Sequence, residues 1–377
     1  MKRSLGQIAC WLVLGLTLAS AQSNKKPLPD EGMVLPPIAV DKKKTKENIQ
    51  VPPKQIELPA AVTADAERIA FELAPVSSKG LLSQQTREAL LAMLRANRGA
   101  TVVKLRAFVS GSGDLRRIGE IVGEVFTERH QPLPALTVVQ VGALPREGEQ
   151  VLIESTEMER TAVNPNGLAF VSGQAGDTLA QALERVHAAV RATGSASADV
   201  LRVSCFVSSL ELESASLPRV AAEFPQAATL VVQMQRGPVR PPAECEAVAR
   251  LHTTPKEPLG FLDPGEPVAS KNYSEIALVG PGKLVFTAAQ LGFGTQPSDI
   301  RLAFERLGRV LASFQTGFHR LAVSCAYLTN LTLAPKIREA RSGFYTAQKQ
   351  PASTFLPFEG LPSIDGSFAI DLIAVTP

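Results

Sequence analysis

One segment of this chain recurs, and that recurrence limits the folds open to it. Residues 167–210 begin with Leu168-Ala169-Phe170-Val171, an apolar run that suits a buried strand. The chain then turns through Ser172-Gly173-Gln174. Leu179, Leu183, Val186 and Val190 follow at helical spacing and share one face. Gly194 is placed to end that helix, and Val200 to Leu210 reads as a second strand. Strand, helix, strand is the βαβ unit of a sheet with a parallel pair.

A second copy starts at Gly282. Lys283 to Thr287 is its strand, and Ala289-Gln290 stands where Gly173-Gln174 stood. Ile300, Phe304, Leu307, Leu311 and Phe314 form its helix face, and Leu321 to Leu328 its second strand. Val-Ser-Cys occurs in both second strands, at Val203–Cys205 and Val323–Cys325, so Cys205 and Cys325 are expected at equivalent buried positions. A fainter copy lies upstream, with strands Ile69 to Leu73 and Val102 to Val109 around a helix from Thr86 to Ala96. Each copy continues into a second amphipathic segment, marked by Phe126, Phe224 and Phe344, and ends in a β-like tail. The chain is therefore expected to hold three tandem βαβαβ units at 57–158 (the most divergent), 159–252 and 253–377. Each is domain-sized, so this is a tandem array and not a solenoid of short repeats.

The stretch before them differs. Lys2 and Arg3, an apolar core from Ile8 to Leu18 and Ala19-Ser20-Ala21 have the pattern of a cleavable secretory signal at 1–21. That predicts a secreted or periplasmic protein with no stable membrane insertion after cleavage; the alternative is an uncleaved anchor. Residues 22–56, rich in Pro and Lys, read as a disordered linker. The chain's net charge is +3; the signal holds +2 and the linker +3, which leaves the repeat body at −2. An acidic body whose chain has its single Trp in the signal is a poor nucleic-acid binder. Three cysteines remain beyond the signal, so at least one thiol is expected to be free. The four histidines are scattered without metal-ligand spacing, and no Walker, GxSxG or GxGxxG motif is present. Neither a metal nor a cofactor is expected.

Phe170-Val171-Ser172-Gly173-Gln174, followed by a helix and Val-Ser-Cys-Phe-Val, resembles the YjgF/RidA family of enamine/imine deaminases, also called L-PSP endoribonuclease-like. Asn272-Tyr273-Ser274 resembles its Pro-Tyr-Ser element, and Pro351-Ala352-Ser353-Thr354 its Pro-Ala-Arg-Ser motif, with Leu361-Pro362 following at the family's spacing. Pro134-Ala135-Leu136-Thr137 with Leu144-Pro145 repeats that pattern in the first copy. The resemblance implies α/β (α+β) units of chorismate-mutase-like form, which the family assembles as homotrimers with ligand clefts between subunits. Three units in one chain can supply all three positions, an intrachain pseudo-trimer in which a monomeric chain mimics a homotrimer.

The resemblance also implies an Arg that grips a substrate carboxylate and a Glu that positions water. The Arg position reads Leu136, then Ala228 or Thr229, then Ser353. The Glu position reads Leu152 and Ala369 in the first and third copies, with Glu244 or Glu246 in the second. No copy keeps both groups. The expectation is therefore an exported RidA-like protein with degenerate sites that binds a small molecule in inter-repeat clefts. Gly173, Gln174, Tyr273, Gln290, Ser353, Arg236, Arg240 and Glu244 are the candidate lining residues. In that set Ser353, Tyr273 and Gln290 are expected to line a neutral polar cleft, Gly173 to mark a tight turn, and Arg236 or Arg240 to be the replacement cations. The alternative is a 2-iminobutanoate/2-iminopropanoate deaminase with relocated catalytic groups. Ribonuclease activity has no base–nucleophile pair to support it.

Overall fold

A computed structural model describes residues 56–235, 243–264, 272–345 and 350–377. The expected signal, residues 22–55, Arg236 and Arg240 lie outside them. In chain order the first elements are β1 (Ala61–Asp65), β2 (Ile69–Leu73), α1 (Leu82–Ala96), β3 (Thr101–Ser110), α2 (Arg116–Glu128), β4 (Ala135–Val141) and β5 (Val151–Met158). Next come β6 (Leu168–Gly176), α3 (Leu179–Ala192), β7 (Val200–Val207), α4 (Leu217–Glu223), β8 (Ala228–Gln233), β9 (Ala243–Arg250) and β10 (Leu259–Leu262). The last are β11 (Ile276–Val279), β12 (Lys283–Thr287), β13 (Gln290–Phe293), α5 (Pro297–Ser313), β14 (Leu321–Leu328), α6 (Ala334–Ser342), β15 (Ala352–Pro357) and β16 (Gly366–Val375). The fold is mixed α+β. The helices begin and end where local chemistry directs: the Thr178 hydroxyl accepts from the Gln181 amide ahead of α3, and Gly194 follows it at φ +80°.

The strands form three mixed sheets: β2-β5-β3-β4, β10-β11-β6-β9-β7-β8 and β1-β12-β16-β14-β15, with β13 also on β16. The neighbouring parallel pairs are β3·β4, β7·β8 and β14·β15. This corrects the simple βαβ reading. The strands on either side of α1, α3 and α5 are not neighbours, because β5, β9 or β16 lies antiparallel between them. A helix about 10 Å wide spans about two strand spacings, so its crossover can step over one strand. Strands also change sheets. β1 pairs with β12, Ala61 opposite Thr287, and β11 pairs with β6, Ile276 opposite Val171.

Alternation gives each sheet two apolar faces. The helix-covered faces form three separate cores, seeded by Leu90 and Phe126, by Leu183 and Phe224, and by Phe304 and Ile337. The opposite faces meet in one shared core containing Phe71, Phe108, Phe170, Phe206, Phe286 and Phe358. Lys54–Pro377 accordingly form one compact unit.

Register corrects the cysteine expectation. β3, β7 and β14 each carry an irregularity near their start, at Val102/Lys104, Val200/Arg202 and Leu321/Val323. From there Arg106, Ser204 and Cys325 lie opposite Glu154, Glu246 and Asp371. The two Val-Ser-Cys tripeptides are thus offset by one residue, and a one-residue offset reverses the face. Cys205 points to the helix side, where it forms a disulfide with Cys245 directly across the ladder. Cys325 points into the shared core as a free buried thiol.

Candidate functional site

β6 runs straight through Ser172-Gly173-Gln174, with a bulge between Val171 and Gln174, so this stretch is not the expected turn. The bulge places Gly173 beneath Glu244. A Cβ at Gly173 would stand 1.9 Å from Glu244 Oε1, so a larger residue here displaces that side chain; the constraint is close approach and not a positive φ. Ser172 fastens this strand to two distant segments: its Oγ donates to the Ser274 carbonyl at 2.6 Å and accepts from the Ser353 amide of β15 at 2.7 Å.

The result is a cavity of about 320 Å³ lined by Gly173, Ala175, Glu244, Asn272, Tyr273, Arg338, Arg341, Ser353 and Phe355. Glu244 lies opposite Ala175, as Ala369 lies opposite Leu291, so Glu244 and not Glu246 shares the register of Ala369. Ala228 and Ala352 share a register, which leaves Thr229 as the counterpart of Ser353.

Arg341 was not foreseen. It sits on α6 with Ala334 and Ile337 on the helix's buried face and is only 6% exposed. Its Nη2 donates to the Asn272 carbonyl at 3.0 Å, its Nη1 to Ser353 Oγ at 3.4 Å, and its guanidinium lies 4.9 Å from the Tyr345 ring centre. Burial, and then the nearby Arg338, hold its pKa below the usual arginine value. Among the described residues no carboxylate pairs with it. Its signal in the sequence is a charge four residues after Ile337, on a stripe that should be apolar. The cleft is therefore charged and not neutral as expected. Gln290 is also not part of it: this side chain lies on β13 and donates to the Leu291 carbonyl at 2.9 Å. Gln174 lines an adjoining cavity of about 480 Å³ that shares Gly173, Ala175 and Tyr273 with the first.

A second cluster of buried charge is closed on itself. Arg106 grips Glu154 with Nε and Nη2, both at 2.9 Å, and reaches Glu246 at 2.7 Å. Arg202 donates to Glu246 at 3.0 Å, and Lys104 to Asp371 at 2.5 Å. Burial alone would raise the Glu154 carboxyl, but Arg106 and Arg202 outweigh it and hold it at about 2. Three cations meet three carboxylates here, which marks this centre as structural.

No family model and no curated protein matches this chain. Similar solved structures include a YjgF-family member from Neisseria meningitidis, 16% identical, covering 32% of this chain and 95% of that one, with TM-score 0.24. Yeast Mmf1 is 17% identical, covering 32% and 99%, with TM-score 0.24. TdcF of E. coli with bound serine is 21% identical, covering 25% and 81%, with TM-score 0.23.

Proposed function

We propose that residues 57–377 are three diverged copies of one RidA-like unit closed into an intrachain pseudo-trimer, and that the cleft between the second and third copies binds a small carboxylate. The matched acidic positions Glu154, Glu246 and Asp371 and the shared core support the first half. Arg341 carries the second half. Among the described residues this buried guanidinium is held only by neutral acceptors, and an anion entering the cavity would compensate its charge. Calorimetry of pyruvate binding to the full chain tests this. Saturable binding is expected, with Arg341→Met weakening it about thirtyfold or more, the cost of about 2 kcal/mol for a lost buried charge contact. No binding, or equal binding by Arg341→Met, refutes the reading.

A second reading, imine hydrolysis, is favoured by Glu244 across the same cavity from Arg341. With Arg341 on the carboxylate, Glu244 would take a proton from water as its oxygen attacks the imine carbon. Glu244 hands that proton to nitrogen, and then carries the proton of the new hydroxyl to nitrogen as the C=O forms and the C–N bond breaks, so ammonia and a 2-oxo acid leave. Ammonia release from 2-iminobutanoate, lost in Glu244→Gln while pyruvate binding persists, is the expected pattern. Export is part of the proposal, and the Cys205–Cys245 disulfide supports an oxidising compartment.

A further inference from the structure

We infer that the cleft between the third and first units is a second ligand site, for a small apolar amine. It repeats the geometry of the Arg341 cleft with its polar groups removed. Leu136 pairs with Leu105 on β3 as Ser353 pairs with Ser324 on β14. Ala289 precedes Gln290 as Gly173 precedes Gln174, and Ala369 stands where Glu244 stood. The Ala288 amide donates to the Ala60 carbonyl as the Ser172 amide donates to the Glu275 carbonyl, which sets Leu58 at the place of Tyr273. The outcome is a cavity of about 220 Å³ walled by Leu58, Leu136, Val138, Ala289 and Leu291. Apolar cavities of about 150 Å³ stay dry and take up benzene, so this volume suits one aromatic ring with a short chain.

The cavity opens past Leu115, Arg116 and Pro362, which it shares with a wider groove of about 670 Å³. Among the described residues, four charged ones line the two spaces. Arg116 is held by Asp114 through two bonds of 3.0 Å, which neutralises that pair. Glu359 and Asp365 remain exposed on the groove wall, next to a fully exposed Ile364. An apolar floor under a net negative mouth complements a hydrophobic body that carries an ammonium group, and opposes a carboxylate.

Calorimetry on the full chain with 2-phenylethylamine, 2-phenylethanol and phenylacetate tests the assignment. The amine is expected to bind best and the alcohol more weakly. Phenylacetate is expected not to bind in this cleft. Ala289→Trp, which fills the cavity, should abolish binding of amine and alcohol alike. The surface pair Glu359→Gln with Asp365→Asn should weaken the amine about three- to tenfold and leave the alcohol unchanged. This second variant decides the matter if Ala289→Trp fails to fold. Arg341→Met should leave amine binding intact, which separates this site from the other cleft. The proposal is overturned if the amine shows no saturable binding, if the folded variants bind it like the parent, or if Arg341→Met binds phenylacetate as tightly as the amine.

Discussion

Two carboxyls on β5, three residues apart, make opposite demands on pH. Glu154 is ion-paired and held at about 2. Its contribution is complete above the unfolded value near 4.5 and is lost as pH falls towards 2. Glu157 is 1% exposed and receives a bond from Ser155 Oγ at 2.9 Å. Burial, only partly offset by that hydroxyl, and then Glu72 and Glu159 push it up to about 7. Between 4.5 and 7 the folded state binds the extra proton, so raising pH through this window destabilises the fold, by on the order of 3 kcal/mol when complete. Glu157→Gln should therefore stabilise the protein at pH 8 much more than at pH 5 in urea unfolding; an equal change at both pH values would refute this. Gly173→Ala is the matching test at the cleft. The methyl would meet only the end of the Glu244 side chain, so folding and pyruvate binding should survive while any imine hydrolysis falls by an order of magnitude or more. Glu244 was legible in the sequence because it lies on a patterned tail. Arg341 was not, because a lone cation in an amphipathic segment ordinarily marks the solvent side, and only the packing of α6 shows it buried.

At the scale of elements, most strands and helices follow from periodicity, and β14 spans the very residues expected, Leu321–Leu328. Neighbour relations did not follow, because alternation reports a strand's faces but not which strand lies beside it. Hence β5, β9 and β16 were read as tails although each is an inner strand of its sheet. The cysteines show the same limit. Matching tripeptides implied equivalence, while Val203 starts one residue farther past its strand's bulge than Val323 does, which sends Cys205 and Cys325 to opposite faces. The bond between Cys205 and Cys245 closes a loop with sequence separation 40. Chain entropy assigns such a loop about 4 kcal/mol. Reduction with dithiothreitol should lower the Tm by several degrees, and Cys205→Ala with Cys245→Ala should show a lowered Tm that dithiothreitol no longer changes. A parent Tm indifferent to reductant would contradict a formed bond.

At the scale of the whole molecule, three sheets share one core and one charge network. Arg106 on β3 reaches Glu246 on β9, Lys104 on β3 reaches Asp371 on β16, and Thr354 on β15 donates to Glu246. A homotrimer would place one side chain at all three equivalent points. Here Arg106, Ser204 and Cys325 stand at the three matched register positions, and the proposed pseudo-trimer would permit that difference because each copy could vary alone. Such an arrangement pairs its charges within one chain and leaves the inner faces little to offer a second. The full chain should thus scatter light as one chain, of 40.1 kDa or less by any cleaved signal, and remain so across dilution. Glu246→Gln supplies the internal control. It leaves Arg106 and Arg202 sharing one full carboxylate in a dry interior, and breaking such a set costs about 3–5 kcal/mol. The loss should appear as one cooperative transition at lower denaturant, because all three sheets depend on the same centre. A species of three chains that resists dilution would show that the units pair between molecules, and an unfolding curve split into separate steps after Glu246→Gln would show that they do not share their core.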